Sequence, residues 1–430
     1  MTRSCTAFVV ALAMGSLTGN ASSQSAPKQV VKPPIAQAWI DVATFSGMNM
    51  GMGAGGADMM NQTLSSLLGG GQGVEAEFGY TQTGTAGRWM DVTLYTSRNP
   101  NLQAAEQMVP AGTGLAPKLA LQSPEQPKPL PESDDEPDPG QIEQPRGKLV
   151  MYWGCSETVR PGQPRVVDLR TATLGELAKF FESRRATRRG THAAAGRPVW
   201  PSRTDKRALG PTASIAGEHA FVAEGVPESF RFTIPGAQDI MAPIKVRQQD
   251  AGSALELEWQ AVPHARAYFL ATMGGLPDGE EGMVIWTSSE LPESGMGLFD
   301  YQTNSAVDGW LKDKVLLPPS QTRCAVPKEA AGQGMLRAIA YGTEVNLAYP
   351  PRPEDPQIAW EPDWNVKIRV KSMSTTMIGM GDMGGMDEMP GEDTADASDA
   401  DAAPPETEPA PEKKKKFNPF DVVKEVIKQN

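Results

Sequence analysis

Histidine and cysteine are nearly missing from this chain: three of each occur in 430 residues. That scarcity excludes a multi-zinc module and a disulfide-dense scaffold. His192, His219 and His264 stand alone, with no His-x-x-x-His or Cys-x-x-Cys spacing around them. The chain has no Gly-x-Ser-x-Gly elbow, no His-Glu-x-x-His and no Gly-Lys-Ser/Thr phosphate loop. No apolar run approaches the ~18–20 residues needed to span a bilayer. Gly-x-Gly-x-x-Gly occurs at Gly51 and again at Gly379, both times inside Gly/Met-rich low-complexity sequence, and reads as composition rather than as a dinucleotide cradle. The sequence thus carries no positive signal for an enzyme and no cofactor is expected. A site whose members are scattered along the chain stays open as an alternative.

Glycine (43) and proline (38) are abundant, and the formal charge is −12. The acidity is local. Residues 372–412 carry eleven acids and no base, followed by Lys413 to Lys416, and residues 125–144 carry seven acids and one Lys. Such stretches bury too little apolar surface to offset their ordering entropy. The rest of the chain is close to neutral. Residues 1–23 have an early Arg3, a short apolar run and small residues near Ala21 and Ser23, which is the pattern of a signal peptide. Export is expected, with the periplasm as the destination. An oxidising compartment then leaves two readings for Cys155 and Cys324: a disulfide joining the two halves of the chain, or two separate buried thiols.

The periodicities predict a mainly β protein with antiparallel sheets and few short helices. Residues 28–109 form an N-terminal β region with strands at 35–45, 74–82 and 88–96. Two of these look alike, Trp39-Ile40-Asp41-Val42 and Trp89-Met90-Asp91-Val92, and are expected to be half-buried with Trp and Val inward. Residues 110–147 read as a Pro-rich acidic linker or loop, and 148–210 as a continuation of the β region. That continuation includes a helix at about 173–183, where Thr173 and Glu176 have capping-box spacing. Its segment 184–207 holds eight basic residues against Asp205 alone, and is expected to be a solvated or self-screened face; with only Trp200 as an aromatic, nucleic acid is not an expected partner. Residues 228–372 carry many short strand signals separated by turns and read as a sandwich domain, with a helix-like patch at 306–314.

Within that region Leu255-Glu256-Leu257-Glu258-Trp259, followed by Val262, Ala265, Tyr268 and Leu270, resembles the B–C strand pair of a fibronectin type III or related immunoglobulin-like sandwich. The resemblance implies a fold in which Trp259 and Tyr268 are core residues, and fold alone carries no function. Tyr152-Trp153-Gly154-Cys155 with Val159-Arg160-Pro161-Gly162-Gln163-Pro164 resembles an uncharacterised family of exported bacterial proteins, which implies no activity.

Methionine is clustered. Met48, Met50, Met52, Met59 and Met60 lie in one Gly-rich stretch; Met377, Met380, Met383, Met386 and Met389 step by three in another, preceded by Met373. Thioethers are soft ligands that suit Cu(I). Copper(I) held by Met48, Met50, Met52, Met377, Met380, Met383, Met386 and Met389 is therefore one reading, and a flexible metal-free segment is the other. Residues 373–416 read as a disordered tail, Met-rich, then acidic, then Lys-rich. Residues 417–430 then form a short amphipathic helix. Asn418 caps it, Pro419 opens it, and Phe417, Phe420, Val423 and Ile427 are its candidate docking residues. Twelve residues are too few for a stable isolated helix, so either its apolar face docks, on an envelope protein, a membrane surface or the protein's own body, or the segment frays. The expected function is an exported, non-enzymatic binding or scaffold protein of the cell envelope. A Met-rich copper- or silver-binding protein is the first alternative, and an enzyme with a dispersed site the second.

Overall fold

The computed structural model describes residues 29–47, 78–125, 147–186, 190–276 and 280–378. The elements run β1 (Ala36–Gly47), α1 (Tyr80–Thr83), β2 (Gly87–Thr96), β3 (Ala104–Met108), β4 (Lys118–Gln122), β5 (Lys148–Trp153) and β6 (Arg165–Asp168). Then come α2 (Leu174–Phe180), β7 (Val199–Trp200), β8 (Gly217–Val222), β9 (Arg231–Ile234), β10 (Val246–Asp250), β11 (Ala254–Trp259), β12 (Ala267–Gly275) and β13 (Gly282–Thr287). The last are α3 (Asn304–Lys312), β14 (Arg323–Pro327), α4 (Lys328–Ala331), β15 (Gln333–Tyr341), β16 (Val345–Tyr349) and β17 (Trp364–Met377). The protein is mainly β, and the described residues form open sheets with no barrel among them.

One large sheet follows the order β6-β5-β13-β12-β15-β17-β1-β2-β7-β4-β3-β8-β9, with β16 also on β17, and a second sheet is β10-β11-β14. Two pairings in the large sheet are parallel, β1 with β17 and β5 with β13. Strands from both ends of the chain therefore share one sheet. β9, which the sequence assigns to the sandwich region, pairs with β8.

The small sheet covers one face of the large one: Leu257, Trp259 and Val262 pack in one core with Tyr268, Leu270, Leu336 and Ala338. The Trp259 ring meets Tyr268 edge-on at 5.5 Å, and the Tyr268 hydroxyl accepts the Val262 N–H at 2.8 Å. A disulfide joins Cys324, on β14, to Cys155, just past β5, and so ties the two sheets together. On the same face the far end of the large sheet curls back, and Phe230 stacks on Trp364 at 4.8 Å.

Several boundaries differ from those read in the sequence. Tyr80–Thr83 is one helical turn where a strand was expected, because the Thr81 N–H and hydroxyl both bind Asp91. Residues 118–122 form a strand inside the expected linker, because Leu119 and Leu121 alternate into the core. β17 runs on to Met377, past the expected start of the tail, held by its register with β15, and Met373 is buried. α2 does begin at Thr173 with the capping box formed by Glu176.

The largest difference concerns the two look-alike strands. They were expected to be half-buried, but both faces of β1 and β2 are covered, and Asp41 and Asp91 are fully buried.

Candidate functional site

β1 and β17 lie side by side and parallel, with Gly47 opposite Thr375. A Cβ at Gly47 would sit 2.3 Å from the Thr375 carbonyl oxygen, and its φ is +90°, so the end of β1 requires glycine. The chain thus leaves β1 and β17 from one end of the sheet. The turn between β12 and β13 and the entry into β5 at Lys148 lie at that same end by register. The roots of the two methionine-rich segments, more than 300 residues apart in sequence, are neighbours here.

A lateral row of side chains crosses the sheet at this end. Met151 pairs with Ile285, Ile285 with Met273, Met273 with Met335, and Met335 with Met377. Residues directly opposite in adjacent strands share a face, with Cβ atoms about 5 Å apart. Met151 and Met335 are buried; Met273 and Met377 are half-buried. Met296 comes over from the loop before α3, and a small open cavity (about 20 Å³) lies between Met273, Met296, Met335, Ile285, Phe299 and Arg337. It has room for about one or two waters.

Arg337 is the one charge in that lining. Its guanidinium sits 4.4 Å over the Phe299 ring, and burial pushes it down to about 10 from its ordinary value. It has no carboxylate partner among the described residues. The nearby acids are committed elsewhere: Glu293 accepts from Arg184 at 2.9 Å and from the Gly295 N–H at 3.0 Å, and Asp300 faces Lys371 at 3.6 Å.

Further along the same face is a row of charges. Asp91, Asp41 and Arg369 are lateral neighbours on β2, β1 and β17. Arg369 holds Asp41 by two bonds of 2.6 Å, and Thr191 adds its hydroxyl at 2.7 Å. Burial works to raise Asp41, but the Arg369 charge and these bonds outweigh it and leave the carboxyl below its usual range. Asp91 has no such cation. Burial, with the Asp41 charge beside it, overcomes the hydrogen bonds from Thr81 and Gly79 and pushes it up to about 6. Burial lowers Lys371, partly opposed by Asp300, and raises Tyr301 well above its usual value. The Tyr301 ring lies between Arg369 (4.4 Å) and Lys371 (4.3 Å). This row sits under residues 78–85, 190–191 and 300–303, and its bonds fasten those residues to the sheet.

Of the residues singled out in the sequence, Met377 closes the methionine row, and Cys155 and Cys324 are bonded to each other. Met48, Met50, Met52, Met380, Met383, Met386 and Met389 lie outside the described residues, as do Phe417, Phe420, Val423 and Ile427 and the expected signal peptide. Four described residues of the basic segment are engaged: Arg184 with Glu293, Arg203 with Glu125, Arg207 with Asp205, and Arg197 over Trp39 and Tyr95. His219 is buried between Gln107 and the Ile215 carbonyl, and desolvation lowers its pKa. Sequence reasoning missed Met273, Met296, Met335 and Arg337, which are scattered over some 65 residues and share no motif. It also missed Asp41, Asp91, Arg369 and Lys371, whose only signal is an alternation that a half-exposed strand shows equally well.

Among the described residues no group of three or more His, Cys, Asp and Glu side chains is arranged to hold a metal, and no helix is long and apolar enough to cross a membrane. No protein-family model, no curated protein and no solved structure matches the chain.

Proposed function

We propose that this is an exported, non-enzymatic binding or scaffold protein of the cell envelope, whose sheet presents its methionine-rich segments and acidic tail to a partner from one end. The observation that carries this reading is the parallel register of β1 and β17, which roots both segments side by side. Export, with the periplasm as destination, is supported by the disulfide, since such bonds persist in oxidising compartments. The order β10-β11-β14 against β13-β12-β15-β17 supports reading the C-terminal half as a fibronectin type III-like sandwich. Affinity capture from fractionated cells, with the full chain and with 417–430 deleted, tests the reading. Loss of a reproducible partner on deletion supports it, and unchanged recovery counts against a role for the C-terminal helix.

A second reading is favoured by one further observation. Met273, Met335 and Met377 form a thioether row next to the roots of both methionine-rich segments. Soft sulfur donors gathered in this way suit Cu(I) or Ag(I). Arg337 beside them disfavours a cation within the cavity itself, so this reading puts the ion on the segments. Cu(I) titration distinguishes it from the first.

A further inference from the structure

The thioethers at the sheet end have a chemistry beyond ligation, because sulfur takes up one oxygen from a peroxide. Met273, Met296 and Met377 are half-buried there, and Met335 is buried beside them. Met273, Met296 and Met335 line the open cavity, which has room for about one or two waters. That space excludes a ligand or a further side chain. It matches a peroxide molecule, or an oxygen atom newly bonded to sulfur.

Arg337 lies two residues beyond Met335, on the same face of β15, and diagonal to Met273 on β12. It is half-buried and keeps part of its hydration, so it needs no counter-ion. Its guanidinium does bring N–H donors to the cavity wall, and they have no acceptor among the described residues. The other polar side chains of the lining are engaged. The Ser294 hydroxyl donates to the Phe181 carbonyl at 3.1 Å, and the Thr272 hydroxyl to the Ala330 carbonyl at 3.5 Å.

The loop that carries Met296 is fastened on both sides. The Gly295 N–H donates to Glu293 at 3.0 Å, the Gly297 N–H to the Ser183 hydroxyl at 2.8 Å, and the Leu298 N–H to the Gly295 carbonyl at 3.0 Å. A thioether on a fixed segment presents one of its two lone pairs to the cavity and turns the other towards protein. Attack from the cavity therefore makes one sulfoxide epimer.

We propose that Met273 and Met296 are a site of reversible sulfoxidation by hydrogen peroxide, with the new oxygen in the cavity and hydrogen-bonded to Arg337. The sulfur lone pair attacks one peroxide oxygen; the S–O bond forms as the O–O bond breaks. The second oxygen takes the proton of the first and leaves as water. Sulfur loses two electrons and the peroxide gains them. Arg337 donates to the departing oxygen and then to the sulfoxide, a far better acceptor than the thioether it replaces. This end of the sheet thereby turns from apolar to polar while its packing is kept, and a methionine sulfoxide reductase restores it.

Peroxide treatment of the full chain tests this, followed by peptide mapping before and after each of the two reductases, which take one epimer each. Met273 and Met296 should become sulfoxides with one epimer in about tenfold excess, the preference that a hydrogen bond to a charged group confers. The excess should fall to near equality in Arg337→Gln and in wild type oxidised while unfolded in urea. The native oxidised protein should keep its cooperative unfolding. The two wild-type arms need no variant and so guard against a folding defect in Arg337→Gln. Near-equal epimers in the native wild type overturn the proposal. So do residues 273 and 296 that stay reduced while free methionine is oxidised, an epimer excess that persists in Arg337→Gln, or loss of the fold on oxidation.

Discussion

Asp41 and Asp91 face each other across β1 and β2, and both are fully buried. Arg369 supplies one positive charge, and it binds Asp41. Two adjacent carboxylates in a dry site do not ionise equally when one cation serves one of them. Asp91 is thereby left with a pKa pushed up to about 6.

That shift has a definite sign. A carboxyl whose folded pKa lies above its unfolded value of 3.8 binds its proton more tightly in the native state. The ionised form costs stability, fully above about pH 6, and the cost disappears as pH falls towards 4. The shift corresponds to about 3 kcal/mol. Urea unfolding of the wild type and Asp91→Asn between pH 4 and 7 should therefore show their stability difference moving by about that amount in favour of the wild type at the acid end. Parallel pH profiles would contradict it.

Removing the cation should be more damaging than removing both charges. Arg369→Gln leaves Asp41 buried and unpaired, and should cost about 3–5 kcal/mol in unfolding free energy. Arg369→Met with Asp41→Leu removes both charges and should recover most of that loss. Equal losses in the single and double variants would show that the pair contributes through shape rather than charge.

Cys155 and Cys324 lie 169 residues apart, so their bond closes a long loop as well as joining the two sheets. Loop-closure entropy for such a span gives about 5 kcal/mol, and measured values commonly fall short of it. Cys155→Ser with Cys324→Ser should lower the unfolding free energy by about 3–5 kcal/mol. The same drop should appear when the wild type is reduced.

Much of the architecture is legible in the sequence. Alternating apolar residues mark most strands, Thr173 with Glu176 marks the start of α2, and the mainly β class follows. The burial of Asp41 and Asp91 is not legible, because a strand covered on its second face by distant residues such as Thr81 and Thr191 looks locally like one facing water. Nor is the pairing of β1 with β17, whose partners lie more than 300 residues apart and are chosen by the whole sheet. The candidate site depends on that pairing. Met377 stands out in the sequence through its repeat; Met273, Met296, Met335 and Arg337 look like ordinary strand and loop residues until the register aligns them.

If the methionine-rich segments hold a soft ion, purified protein should bind Cu(I) stoichiometrically in competition with a Cu(I) chelator. Replacing Met377, Met380, Met383, Met386 and Met389 by Leu should then abolish or weaken binding at least about tenfold, as expected when thioether ligands are lost. No stoichiometric binding by the wild type removes the copper reading and leaves the first.

The central claim is that one end of the sheet is the binding end. Photo-crosslinking in intact cells tests it most directly, with a benzophenone side chain placed singly at Gln333 at that end, at Phe420 in the tail, and at the exposed Ile358 near the opposite end. The account expects the same partner adduct from Gln333 and Phe420 and none from Ile358. An adduct from Ile358 alone would contradict it.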